Sequence, residues 1–221
     1  MSKSIYLLLI CVFCLSATSA AAAKFPANAA EFLATCRSAT AETEKKLRLP
    51  KRLLNAISLT ETGRWHETKR EIIAWPWTVY SEGRGRYLPS KAAAIREVKM
   101  LKAKGVKNID VGCMQVNLHW HPKAFSSLED AFDPKINAAY AGDLLLKLRN
   151  ESRSWNTAIA HYHSRTKKYN IPYRKKVHKL WQDERRRDTK IRMEKAREKY
   201  RARRAMLKAR REEVLRKKAL G

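Results

Sequence analysis

The chain has 221 residues, of which 44% are hydrophobic, so it can form one domain with a real core plus further segments. Its 48 Lys and Arg against 21 Asp and Glu give a formal net charge of +27, which indicates anionic partners without identifying them. Beyond the N-terminal residues, no segment is apolar enough to cross a membrane, which excludes a spanning helix there.

The N-terminal residues have the organisation of a secretory signal peptide. Lys3 precedes the apolar run "IYLLLICVFCLSA", and the small residues of "TSAAAAK" follow it. The run is too short to span a bilayer as a mature helix, so we predict a signal peptide over residues 1–22 and a periplasmic protein, with an uncleaved anchor as the alternative. Cys11 and Cys14 have C-x-x-C spacing but lie within this segment, so they form no redox or zinc site.

Two cysteines remain in the mature chain, Cys36 and Cys113. In an exported protein an isolated pair is more often bridged than reactive, so we predict a disulfide between them. The alternative is two separately buried thiols.

The pattern of the next 150 residues predicts a mostly helical domain with one small β element. The apolar residues Leu53, Leu54 and Ile57 recur at helical spacing, so the second helix is expected to start near Pro50 and to stop at Gly63. The other expected elements are a helix over 29–46 capped by Asn28, a hairpin within 74–89, a helix over 91–104 capped by Ser90, a loop leading into a short helix over 111–122, a helix over 134–148 after Asp133 that stops at Asn150, and a helix capped by Ser154.

The fold class predicted is therefore α+β, predominantly α, with a domain over residues 26–172 and a basic helical tail over residues 173–221. Residues 165–221 contain 24 Lys and Arg against 7 Asp and Glu. Within the tail, a thin apolar line recurs every seven residues, and acids and bases four apart predict helix-stabilising pairs. The line consists of Met193, Tyr200, Leu207 and Val214, and the pairs are Asp183/Arg187, Asp188/Arg192, Glu212/Arg216 and Glu213/Lys217.

Glu61 is the residue that points most directly to chemistry. It continues the apolar stripe of its helix and lies at the C-terminal end, where the helix dipole is negative. Both effects raise the pKa of a carboxyl, and a glutamate protonated near neutral pH can act as a general acid. The alternative is a glutamate at a frayed helix end that reaches solvent or Arg64.

Three segments in order resemble the motifs of lysozyme-like lytic transglycosylases. They are "AISLTETGR" (56–64), "VGCMQVN" (111–117) and "AIAHYHS" (158–164). The resemblance covers roughly residues 30–170 and is closest to specialised periplasmic members of the soluble lytic transglycosylase family, which assist envelope-spanning machines. It implies a lysozyme-like domain that cleaves peptidoglycan between N-acetylmuramic acid (MurNAc) and N-acetylglucosamine (GlcNAc), forming a 1,6-anhydro ring.

The resemblance implies that Glu61 is the single acid and base and that Tyr162 forms a hydrogen bond with it. Two positions depart from the commoner motif, because Thr62 replaces Ser and His163 replaces Asn. For the two amides of the second motif the alternative role is capping of a loop, and for Tyr162 it is packing in the core. The residues expected at the substrate are Thr62, Met114, Gln115, Asn117, Tyr162, His163 and, more weakly, Trp77, with nearby aromatic surface from Trp75 and Trp155.

Two other functions remain open. A lysozyme-like hydrolase would need a second carboxylate, for which Glu67, Glu71, Glu82 and Asp110 are candidates. A non-catalytic protein could instead bind anionic envelope surfaces through residues 173–221. The expected partners are peptidoglycan strands, a secretion or flagellar machine and anionic surfaces. No metal is expected, since the H-x-H pairs lack a third-ligand pattern. No nucleic acid and no cofactor are expected either.

Overall fold

The computed structural model describes residues 29–220. The predicted signal peptide, its two cysteines and the predicted cap Asn28 lie outside these residues. The elements are a 3-10 turn at Ala29–Glu31, α1 Thr35–Lys46, α2 Leu53–Thr62, β1 Gly63–His66, β2 Glu71–Ala74, β3 Thr78–Ser81, β4 Arg84–Tyr87, α3 Lys91–Ala103, β5 Asp110–Val111, β6 Val116–Asn117, α4 Leu128–Ala131, α5 Pro134–Ser152, α6 Trp155–His163 and α7 Lys167–Ala219.

This arrangement confirms the coarse prediction of an α+β, predominantly α protein with a small antiparallel sheet and a long C-terminal helix. The caps predicted for α3 and α6 are present, because Ser90 and Ser154 accept hydrogen bonds from the backbone N–H of the third residue after each. Asp133 likewise caps α5, but that helix continues through Asn150 to Ser152.

The segment over 111–122 differs from its prediction. We expected a loop leading into a short helix, and the chain instead forms the two-residue strands β5 and β6. They extend the predicted β3–β4 hairpin into an antiparallel sheet of order β4-β3-β5-β6. The short strands carry too few residues to show an alternating pattern, so the sequence signal for them was weak.

The second helix starts later than predicted, at Leu53 rather than near Pro50. Arg52 precedes it with φ 69° and makes no side-chain cap. The buried Glu44 of α1 supplies the cap, because its carboxylate accepts the backbone N–H groups of Arg52 (2.8 Å) and Asn55 (3.1 Å). A carboxylate at a helix N-terminus is also favoured by the helix dipole. The start of α2 is therefore fixed by a contact with another helix.

Two hydrophobic clusters form the core. One joins α1, α2, α5 and α6, and the other lies between α3 and the four-stranded sheet. The predicted disulfide between Cys36 and Cys113 is present, with Cα atoms 5.6 Å apart. Both cysteines are buried, so the bridge ties α1 to the turn between β5 and β6 inside the first cluster.

The N-terminal third of α7 belongs to the domain. Tyr173 and Val177 are buried in the first cluster, so the boundary predicted at residue 172 falls inside both a helix and the core. Further along, Glu184 is buried and binds Arg37 at 2.6 Å and Asn55 at 2.8 Å. Such contacts join residues far apart in the chain. The change to a basic composition, on which the predicted boundary rested, could therefore not reveal them.

Residues 189–220, which we call the arm, are exposed along their whole length. The predicted pair Glu213–Lys217 forms at 2.8 Å. The two pairs predicted nearest the domain do not form, because Arg187 binds Glu71 and Asp188 binds Arg52 at 2.7 Å. Glu212 pairs with Lys208 at 3.8 Å rather than with its predicted partner. Between residues 29 and 220, no helix combines the length and the apolar character needed to cross a bilayer.

Candidate active site

Glu61 occupies the last turn of α2, one residue before the helix ends. The chain turns at once into β1, and the turn requires glycine at position 63 because a Cβ there would lie 2.2 Å from the carbonyl oxygen of Leu59 and 2.7 Å from Ile72 Cγ2. The turn leaves the Glu61 side chain partly buried in the wall of a cleft of about 580 Å³.

Burial raises the pKa of Glu61 from 4.5 to about 7. Desolvation of the charged form is the largest cause, and a hydrogen bond from Tyr173 opposes it. The negative charge of Asp110 raises the pKa further, and the ammonium of Lys176 lowers it. A carboxyl group with this pKa is present in both protonation states near neutral pH, so it can give a proton and later take one.

Tyr173 of α7 orients this carboxyl group. Its hydroxyl donates a hydrogen bond of 2.6 Å to Glu61 Oε1, and its ring stacks on the imidazole of His163 with centroids 4.4 Å apart. Tyr162, which the resemblance implied as the partner of Glu61, lines the cleft but donates to the carbonyl oxygen of Met114 at 2.9 Å. Tyr162 therefore lines the same cleft as Glu61, but the expected hydrogen bond between the two is not formed.

Sequence reasoning missed Tyr173 because it lies just beyond the predicted end of the domain. A signal for it was present, since Tyr173, Val177 and Leu180 have the spacing of one buried helix face. The high positive charge of the surrounding residues concealed that face.

Asp110 is the one candidate second carboxylate that lines the same cleft. Burial raises its pKa, and a hydrogen bond from Asn117 Nδ2 at 2.6 Å opposes the shift. The other three candidates are elsewhere: Glu67 and Glu82 are exposed in turns, and Glu71 is bound by arginines from α1 and α7. Two carboxyl groups with raised pKa values thus share one cleft.

The two amides of the second motif line the cleft with different hydrogen-bonding capacity. Gln115 has φ 49°, and its Nε2 donates to the carbonyl oxygens of Thr78 and Gly112, both at 3.1 Å. Its Oε1 accepts no hydrogen bond from residues 29–220 and is available to a ligand.

Asn117 is fully engaged by the protein. Its Nδ2 donates to Asn108 and Asp110, both at 2.6 Å, while its Oδ1 accepts the backbone N–H groups of His119 and Trp120, both at 3.0 Å. The loop-capping alternative therefore describes Asn117, which fixes the cleft wall and the Asp110 carboxylate.

Three residues expected at the substrate do not line the cleft. Thr62 is buried and donates to the carbonyl oxygens of Ser58 (3.1 Å) and Cys113 (3.4 Å), which ties the end of α2 to the second motif. The Met114 side chain is fully buried in the core. Trp77 packs against Phe32 in the second cluster, with ring centroids 4.1 Å apart, so it is a core residue. The other two tryptophans expected as aromatic surface are also not in the cleft lining: Trp75 is fully buried and Trp155 is partly buried against the first cluster.

Tyr80 and Trp120 supply the aromatic surface instead. Both line the cleft, and they are 42% and 72% exposed. Tyr80 and Asn108 also border a second depression of about 730 Å³ that carries Lys104 and Lys107. The two depressions are therefore adjacent, with Tyr80 and Asn108 between them. Tyr80 occupies an outward-facing position of the β3–β4 hairpin, which is the signal that could have identified it.

Among residues 29–220, no group of three His, Cys, Asp or Glu side chains is placed to hold a metal ion. His121, at the edge of the cleft, lies 2.9 Å from the hydroxyl of Tyr140.

Comparison with protein-family models, curated proteins and solved structures finds no match to this chain.

Proposed function

We propose that this protein is a peptidoglycan lytic transglycosylase with a lysozyme-like domain, and that Glu61 is its single acid and base. The observation that carries the proposal is the Glu61 carboxyl group, which has a pKa of about 7, receives a hydrogen bond from Tyr173 and lines the cleft. The ordered motifs of the sequence supply the substrate class.

The reaction uses both protonation states of Glu61. The protonated carboxyl gives its proton to the glycosidic oxygen between MurNAc and GlcNAc, and the C1–O bond breaks with GlcNAc leaving as the alcohol. The resulting carboxylate then takes the proton of the MurNAc 6-hydroxyl, whose oxygen bonds to C1 and closes the 1,6-anhydro ring. Glu61 ends the cycle protonated, and no water is consumed.

The remaining cleft residues bind and orient the substrate. Gln115 Oε1 can accept a hydrogen bond from a sugar hydroxyl or acetamide N–H, and the rings of Tyr80 and Trp120 offer apolar faces beside it. Because the depression next to the cleft carries Lys104 and Lys107, this surface suits a polymer that carries carboxylates, as peptidoglycan does.

We place the reaction in the periplasm, where this substrate lies. The N-terminal sequence predicts export, and the disulfide between Cys36 and Cys113 is of the kind that persists in oxidising compartments. An envelope-spanning machine that needs a local opening in the wall is the partner that the resemblance implies.

A lysozyme-like hydrolase is the second candidate, and Asp110 is the observation that favours it. A hydrolase needs two carboxylates, about 5–5.5 Å apart for a retaining enzyme or about 6.5–9.5 Å apart for an inverting one. Asp110 lines the cleft and acts electrostatically on Glu61. In the transglycosylase it only tunes the pKa of Glu61, whereas in a hydrolase it is nucleophile or base.

Mass spectrometry of digested cell wall separates these functions. The transglycosylase produces anhydromuropeptides from wild-type protein and none from Glu61→Gln, while the exposed Glu67→Gln is the matched control and keeps full activity. Reducing ends in place of anhydro ends, together with loss of activity in Asp110→Asn, would identify the hydrolase. Digestion that survives Glu61→Gln would refute the role of Glu61 as acid and base, and a wild-type protein that digests no cell wall would leave the non-catalytic binding protein.

A further inference from the structure

The arm has a regular surface pattern that the cleft does not use. It carries 14 Lys and Arg against 4 Glu, and at about 1.5 Å per residue the helix from 189 to 219 extends about 46 Å beyond the domain. Its apolar row is exposed, with 47% to 63% of each side chain accessible. The row consists of Met193, Tyr200, Leu207 and Val214.

Cations flank this row on both sides. Around the helix axis, the residue three positions after a row member lies about 60° to one side of it. The residue four positions after lies about 40° to the other side. Seven of these eight positions are basic: Arg197, Arg203, Arg204, Arg210, Arg211, Lys217 and Lys218. The four glutamates lie more than about 90° from the row. The arm thus has one face with an apolar row between seven cations and no acid, while its four acids lie elsewhere among the other seven cations.

This face points away from the domain. Tyr173, Val177 and Glu184 of the same helix are buried against the domain, while Lys175 and Arg186 are exposed. At about 100° per residue, the apolar row continues the line of the two exposed cations and is roughly opposite the three buried residues. A flat surface could therefore contact the arm along its length while the domain and the Glu61 cleft stay on the far side of α7.

We propose that the arm lies along the surface of a bilayer that contains anionic phospholipid, with its apolar row at headgroup depth and the flanking cations on lipid phosphates. Helices with Lys and Arg beside a narrow apolar face bind the membrane interface in this way. The proposal does not depend on the function proposed for Glu61.

A second copy of the chain does not fit the face. In a coiled coil the row would need a second apolar row three residues on, and those positions hold Ala196, Arg203, Arg210 and Lys217. Pairing two such helices would bring like charges together. An acidic protein would satisfy the charges, but an apolar row with cations on both sides over about 46 Å requires no shaped partner, and a planar anionic surface matches it directly.

Sedimentation of the full chain with protein-free vesicles tests the proposal. Vesicles containing about 30% phosphatidylglycerol in phosphatidylcholine should bind the protein, and pure phosphatidylcholine should not. Replacing three flanking cations, Arg204→Gln, Arg211→Gln and Lys218→Gln, should weaken binding by at least about tenfold, because each cation near the surface contributes on the order of 1 kcal/mol. Replacing the four row residues by Gln should weaken binding roughly tenfold at unchanged charge.

The matched control removes three cations from the far side of the arm, with Lys195→Gln, Arg201→Gln and Arg216→Gln. Lys195 and Arg216 lie about 160° from the row and Arg201 about 100°, so all three are farther from the surface than the flanking cations, and screening over about 8 Å reduces their effect to less than about threefold. Circular dichroism checks that every variant stays helical. Equal weakening by both charge variants would overturn the proposed face. Binding to native membranes or to lipid-free cell wall, but not to protein-free anionic vesicles, would assign the arm to a protein or to wall carboxylates and overturn the proposal.

Discussion

Tyr173→Phe is the substitution that tests the site geometry most directly. It removes one hydroxyl and keeps the ring, so the core packing and the stacking on His163 are retained. The hydroxyl donates to Glu61 Oε1 at 2.6 Å and stabilises the carboxylate form, which lowers the pKa of Glu61. Its loss therefore raises that pKa.

The size of the shift follows from the hydrogen bond. A bond to a charged acceptor contributes about 1.5–3 kcal/mol, and part of it persists with the neutral acid. A difference of about 1.4 kcal/mol between the hydrogen bond to the carboxylate and the one to the neutral acid equals one pKa unit. The pKa of Glu61 should therefore rise from about 7 to about 8. At pH 8 the protonated fraction would then grow roughly fivefold.

The assay is the pH dependence of kcat/KM for release of soluble muropeptides. In the proposed reaction Glu61 must begin protonated, so kcat/KM should fall as the pH rises through its pKa, and in Tyr173→Phe this fall should move to higher pH. The plateau should drop as well, because the carboxyl is less well oriented. An NMR titration of the Glu61 carboxyl carbon reports the same pKa without turnover.

Tyr162→Phe is the matched control, since the same change is made in the same cleft. Its hydroxyl binds the Met114 carbonyl rather than Glu61, so the alkaline fall should keep its position. Asp110→Asn should move the fall the other way, to lower pH, because the negative charge of Asp110 raises the pKa of Glu61. A shift of the alkaline fall in Tyr162→Phe without one in Tyr173→Phe would refute Tyr173 as the hydrogen-bond donor to Glu61.

Three further predictions concern stability. Gly63→Ala should destabilise the protein by about 1–3 kcal/mol in urea titrations, because its Cβ would meet a carbonyl oxygen at 2.2 Å; Gly85→Ala, whose nearest contact is 3.8 Å, should be nearly neutral. Glu184→Gln should lower the unfolding free energy by about 1.5–3 kcal/mol, because it breaks the ion pair of this buried carboxylate with the partly exposed Arg37, against at most about 1 kcal/mol for the exposed pair in Glu213→Gln. Glu61→Gln should be more stable than wild type at pH 9 by about 3 kcal/mol. The pKa of Glu61 is about 7 in the folded protein against 4.5 unfolded, so the wild type loses stability as the pH rises from 4.5 to 7, whereas glutamine does not ionise. No gain at pH 9, or an equal gain at pH 4, would contradict the burial of this carboxyl group.

The sequence by itself determined several local elements and singled out the residue that we propose as acid and base. Serine caps, a hydrophobic period and a glycine stop depend on neighbours within a few residues, so α3, α6 and the end of α2 followed from them. Glu61 was identifiable because an acid on an apolar stripe at a helix C-terminus is unusual within its own helix. The pairing of Cys36 with Cys113 followed because only two cysteines remain after the predicted signal peptide.

Only the tertiary structure decided which groups act on Glu61. Tyr173 and Asp110 lie 112 and 49 residues from it in the chain, and their effects depend on distance and burial in three dimensions. The same holds for Glu44, which caps a helix other than its own, and for Trp77, whose place in the core is set by the sheet packing against α3. Sequence periodicity reports the face of one element, while the surroundings of a carboxyl group are built from several elements at once.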